Sequence, residues 1–98
     1  MTDIETKLLD IVDIIPEPAL YEQLAEECSE LAQAALKKAR KLRNENYTPK
    51  TMDEIDSDIS EEYNDVKLCT MVLNLSENPR TITNKLNRWI RRNTGVVE

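Results

Sequence analysis

Two stripes of apolar residues at helical spacing, separated by one short break, dominate the chain between Pro18 and Leu75. In the first, Leu20, Leu24, Cys28, Leu31, Ala35 and Leu42 recur three, four or seven residues apart, which lines them along one face of an α-helix. The second holds Ile55, Ile59, Val66, Cys69 and Leu73, widened by Met71, Val72 and Leu75. Pro18 suits a first helical turn. Lys37, Lys38, Arg40, Lys41 and Arg43 gather where a helix dipole favours cations. Thr51-Met52-Asp53-Glu54 is a capping box, and Asn44 to Pro49 reads as a connection. Helices are therefore predicted over about 18–44 and 52–75. Shorter ones are predicted over about 3–15, where Thr2-Asp3-Ile4-Glu5 is a second capping box and Ile4, Leu8, Ile11, Val12 and Ile15 form the stripe, and over about 79–93, with Ile82, Leu86, Trp89 and Ile90. Pro16 and Pro18 end the first of these and Gly95 the last. No segment reads as a strand with comparable strength. The expected fold is all-α: a single domain over 1–98, a four-helix-type bundle with two long antiparallel helices. A chain of 98 residues buries only part of its surface, so oligomerisation is expected to complete it.

Composition narrows the chemistry. One Gly excludes Gly-rich phosphate loops, and the absence of His excludes imidazole as acid, base or metal ligand. With 13 Lys and Arg against 19 Asp and Glu the net charge is −6, which argues against binding a nucleic-acid polymer. No apolar run is long enough to span a membrane. The acidic N-terminus is wrong for a secretory signal, and the two Cys read as reduced, buried small residues. A cytoplasmic location is the expectation.

The acids supply the sharpest signal. At about 100° per residue, Glu27 and Glu30 flank the first long stripe as Glu62 and Asp65 flank the second, each pair spaced i, i+3 on the same side. In an antiparallel hairpin turning at Asn46, residues equally far from Asn46 lie side by side, so Glu27 meets Asp65 and Glu30 meets Glu62. Two charges about 5 Å apart repel by roughly 3 kcal/mol at an effective dielectric near 20. Four carboxylates at one level therefore either splay into water or are held by cations, and all-oxygen donors suit Mg²⁺ or Mn²⁺.

These residues also carry a resemblance. Glu26-Glu27-Cys28-Ser29-Glu30-Leu31, followed by Glu62-Tyr63-Asn64-Asp65, resembles the EExxE…ExxD signature of the MazG-like, all-α nucleotide pyrophosphohydrolases. Gln23-Leu24-Ala25, Lys37, Arg40 and the basic segment from Asn84 to Arg92 agree with it, so the resemblance covers about Pro18 to Arg92. It implies a dimer or a dimer of dimers, and Mg²⁺-dependent cleavage of a nucleoside triphosphate to the monophosphate and pyrophosphate. It further implies Glu27, Glu30, Glu62 and Asp65 as Mg²⁺ ligands. Glu26 completes the first motif but lies well round the helix; it either orients water or a cation in catalysis or is simply solvated.

For substrate contacts, Lys85, Arg88 and Arg92 share one face of the last helix and either grip a triphosphate or form a solvated face. Lys37 either pairs with an acid or reaches a phosphate. Asn64 is a candidate for a base or sugar contact. Tyr21 and Trp89 are candidates for stacking, with Trp89 reading better as core or interface. Two other functions stand beside the first: a non-catalytic helical interaction or assembly module, and a phosphoribosyl-nucleotide pyrophosphohydrolase.

Overall fold

The computed structural model describes residues 1–45 and 47–95; Asn46, the expected turn of the hairpin, lies outside the described residues. Four helices are present and no strand is found among the described residues: α1 (Asp3–Ile14), α2 (Glu17–Leu42), α3 (Met52–Val72) and α4 (Pro79–Thr94). Local chemistry sets their limits. Thr2 and Thr51 each accept from the backbone N–H three residues on and receive Glu5 or Glu54 in return, so both expected capping boxes form. Asn78 caps α4 through its side chain. The long helices stop sooner than the stripes suggest because Asn44 and Asn74 adopt left-handed backbone, at φ 55° and 56°. In each case the following N–H closes back five residues, Glu45 onto Arg40 and Leu75 onto Thr70. That wrap satisfies late carbonyls while forbidding another helical turn. Gly95, at φ 73°, is also left-handed and ends α4, its N–H bonding the Arg91 carbonyl.

The main packing lies between α2 and α3, and α1 rests against α3. Pairs across the hairpin run in opposite order along the two helices: Lys38 bonds Asp56, Glu30 faces Glu62, and Glu27 faces Asp65. Buried or half-buried positions on α2 include Leu20, Leu24, Glu27, Leu31, Ala34, Lys38 and Lys41; on α3 they include Met52, Ile55, Ile59, Glu62, Val66, Cys69 and Leu73. Both sets alternate steps of three and four, the spacing of a left-handed helix pair. Such a seam drifts about 20° per heptad across a straight helix. It therefore leaves Cys28, Ala35 and Leu42, which the sequence places in the stripe, on an exposed second ridge. Cys28, expected to be buried, is exposed; Cys69 is buried.

One chain has very little core. Among the described residues Leu20, Ala34, Ile55 and Cys69 are the buried apolar ones, and Ile55 is 2% exposed. α4 packs extensively along none of the other helices, so Ile82, Leu86, Trp89 and Ile90 face open space. The described helices do not close a four-helix bundle within one chain. The accessible surface is 7995 Å², against about 5,700 Å² for a folded monomer of this mass. The radius of gyration is 17.6 Å, where about 13 Å is usual for this length. No helix of the described residues is long and apolar enough to cross a membrane.

Candidate metal centre

Midway along the α2–α3 seam the apolar ladder gives way to acids. Glu27 occupies a seam position on α2 and Glu62 one on α3; Glu30 and Asp65 follow one turn away on the same flank. Each of the four offers a carboxylate oxygen within 4.8 Å of the others. The juxtaposition expected from equal distance to Asn46 is therefore present in space.

Two of these oxygens, Glu27 Oε2 and Glu62 Oε2, are buried and have no hydrogen-bond partner. Buried polar atoms are normally satisfied, and an unsatisfied carboxylate oxygen is costly. Glu27 Oε1 does have a donor: Gln23, one helical turn earlier, gives its Nε2–H at 2.7 Å. That bond engages Oε1 and leaves Oε2 without a donor. Loss of water around Glu27 raises its pKa above the ordinary carboxylate value, with further upward pressure from the charges of Glu30 and Asp65 and opposition from Gln23. Glu30 is raised chiefly by the hydrogen bond its protonated form makes with Glu62, then by the charge of Glu62. The buried Cys69 thiol is pushed up by desolvation and by the nearby Glu27, Asp65 and Cys28, so it is an unreactive thiol rather than a nucleophile. Donors that are all carboxylate oxygen, two of them orphaned, fit a hard divalent cation.

The remaining expected residues separate. Glu26 is exposed, and its charge falls on Glu30. Lys37 lies with Glu30, Glu62, Lys50 and Asp58 along a groove of about 220 Å³ beside the acids. It forms no ion pair among the described residues, so the pairing weighed from sequence does not occur. Asn64 is not brought to the site: it is exposed on the far side of α3 and donates its amide to the Ser60 carbonyl at 2.8 Å. Lys85, Arg88 and Arg92 are not brought there within one chain either, because α4 stands off the hairpin and none of its residues lines the groove. Trp89 is 64% exposed, so it is not core in a single chain.

Two residues at the site were missed as participants. Gln23 was legible as a polar side chain one turn before Glu27. Lys50 was not, because it precedes the α3 cap, where helical periodicity has nothing to say.

The raised acids fix a pH dependence. Glu27 and Glu30 bind protons more readily folded than unfolded, so the folded state is penalised once pH exceeds the unfolded value and relieved as pH falls through the raised value towards 4.5. Glu54 has the opposite sign: Thr51 holds it below the ordinary value, so its contribution exists above that value and is lost on further acidification. The metal-free chain is expected to gain thermal stability as pH falls from neutrality towards 4.5 and to lose it on further acidification. Glu62→Gln should shrink the gain by removing the chief cause of the Glu30 shift. Unfolding followed by circular dichroism in chelator tests this; a midpoint falling steadily from pH 7.5 contradicts it.

Comparison of the chain with protein-family models, with curated proteins and with solved structures returns no match.

Proposed function

We propose that this chain is a Mg²⁺-dependent nucleotide pyrophosphohydrolase of the MazG-like kind. In this reading two long antiparallel helices carry the site, and a second copy of the chain completes the bundle. The supporting observation is the orphaned pair of buried oxygens on Glu27 and Glu62 inside a cluster of four acids. Unpartnered carboxylates buried in a packing seam cost stability that apolar residues would supply, and a bound cation would offset that cost. The exposed apolar face of α4 is accounted for by the second copy.

In this reading Glu27, Glu30, Glu62 and Asp65 hold the metal. Bound Mg²⁺ would polarise phosphoryl oxygens and lower the pKa of water. Gln23 holds Glu27 in place, and a cation would draw Glu30 and Glu62 together against their mutual repulsion. Glu26, solvated and adjacent to Glu30, orients the water that enters. The reaction consumes one water: its oxygen bonds to the α-phosphorus and its proton passes to solvent, the bond from that phosphorus to the α–β bridging oxygen breaks, and pyrophosphate leaves. Nucleoside triphosphates are the first substrates to test, and phosphoribosyl-nucleotides share the same α–β linkage.

A panel of nucleotides assayed for pyrophosphate release is expected to give turnover with Mg²⁺ and none with excess chelator. Mg²⁺ alone should raise the thermal midpoint by relieving the four-acid repulsion. Absence of both effects rejects the reading and leaves the assembly module.

A further inference from the structure

The geometry points to the groove between Glu30, Glu62, Lys37 and Lys50 as the seat of the substrate's polyphosphate tail, with Lys50 as a positioning residue that sets its direction. The inference rests on the metal-centre reading of the four acids and adds to it a direction along the hairpin and a residue outside both motifs.

The groove shares two walls with the acid cluster, Glu30 and Glu62, and extends from there towards the connection between α2 and α3. Lys37 stands two turns beyond Glu30, and Lys50 immediately precedes the α3 cap Thr51. Ala34, which is buried, also lines the groove. Neither lysine is consumed by the cluster. Lys37 is unpaired among the described residues. Lys50 Nζ bonds Asp58 Oδ2 at 2.6 Å and leaves Glu30 and Glu62 alone. Asp58, itself a wall of the groove, holds Lys50 there and offsets part of its charge, so Lys37 is the unpaired cation of the lining. Mobile surface lysines gain little from pairing, but one braced beside a groove presents its remaining N–H donors there.

Cations at one end and acids at the other suit a ligand of several linked anionic groups only when a cation bridges the acid end. A single phosphate reaches one end; a chain of phosphates reaches both. The tail therefore points towards the α2–α3 connection, and the nucleoside lies on the opposite side of the acids, towards Gln23.

The test uses inorganic tripolyphosphate, pyrophosphate and phosphate as probes, titrated calorimetrically into the full chain in excess Mg²⁺. Affinity is expected to fall in that order. Lys50→Met and Lys37→Met should each weaken tripolyphosphate binding roughly 10-fold, the loss of one hydrogen bond to a charged group. Phosphate binding should change little. In turnover, Lys50→Met should raise KM and leave kcat within about twofold, because the lysine acts on the tail and not at the α-phosphorus. Mg²⁺ should stabilise both variants as it does the wild type. Tripolyphosphate binding unchanged in Lys50→Met, with Mg²⁺ stabilisation intact, overturns the inference and spares the metal centre. If Mg²⁺ fails to stabilise the wild type, the metal-centre reading falls instead. The groove inference falls with it, because the acid end accepts a polyphosphate only across a bridging cation.

Discussion

Glu62→Gln is expected to lower Mg²⁺-dependent pyrophosphate release by at least about 10²–10³-fold, the usual cost of one transition-state electrostatic contact, while the metal-free fold stays intact or gains stability. Gln preserves the volume and removes one negative charge. In the metal-free chain that charge faces Glu30, and its Oε2 is buried without a donor. The substitution offers an N–H₂ group to the neighbouring carboxylates and relieves their repulsion. With metal present the same change deletes a charged oxygen donor. Turnover and thermal unfolding with and without Mg²⁺ therefore move in opposite directions, a combination that a simple folding defect does not produce. Near-normal turnover removes Glu62 from the site. Equal Mg²⁺ stabilisation of variant and wild type removes its role as a ligand.

The second large effect is expected at α4. Leu86→Glu combined with Trp89→Glu should convert an oligomer to a monomer. The surface of one chain exceeds that of a folded monomer of its mass by about 2,300 Å², and two copies covering that excess would form an interface of the obligate class. Leu86 and Trp89 lie on the same exposed face of α4 with Ile82 and Ile90. Each large apolar side chain contributes about 2 kcal/mol on burial. Four replacements across a dimer then forfeit about 8 kcal/mol, or more than 10⁵-fold in Kd. Sedimentation equilibrium at micromolar concentration reads this directly. A monomeric wild type, or a variant that stays associated, sinks it. Because α4 carries five of the chain's 13 cations and none of its 19 acids, added salt should also weaken association with an acidic partner copy.

Much of this was legible in the sequence, for identifiable reasons. Helix existence followed from period and caps: Thr2 with Glu5 and Thr51 with Glu54 form the reciprocal bonds their spacing implies. The acid cluster was legible because a hairpin of two straight helices has one free parameter, the turn position, and Asn46 supplied it. Helix ends were not, since asparagine in left-handed backbone at positions 44 and 74 lacks the plain signal of glycine. The fate of Cys28 was hidden as well. A fixed 100° step ignores the slow drift of a heptad seam, which carries the contact line from Cys28 to Glu27. The reach of Lys85, Arg88 and Arg92 was beyond the pattern altogether: periodicity describes a helix face, while the direction in which α4 leaves residues 73–78 depends on the backbone of that connection, where Asn74 is left-handed.

Acids at a single level of an otherwise apolar seam also act as a ruler for register. In the native alignment Glu27 lies level with Asp65 and Glu30 with Glu62, so charges meet charges. Sliding α3 one heptad in one direction would bring Glu27 level with Val72 and carry Ile55, the most buried side chain, level with Asn44 beyond the end of α2. Sliding it the other way would press Glu30 against Ile55. Either slip buries a carboxylate among apolar groups, which costs several kcal/mol, whereas a purely apolar seam would tolerate both nearly equally. Replacing all four acids with leucine should therefore give a hairpin that melts later but is no longer uniquely aligned. The charges that weaken the metal-free hairpin are what select its one alignment.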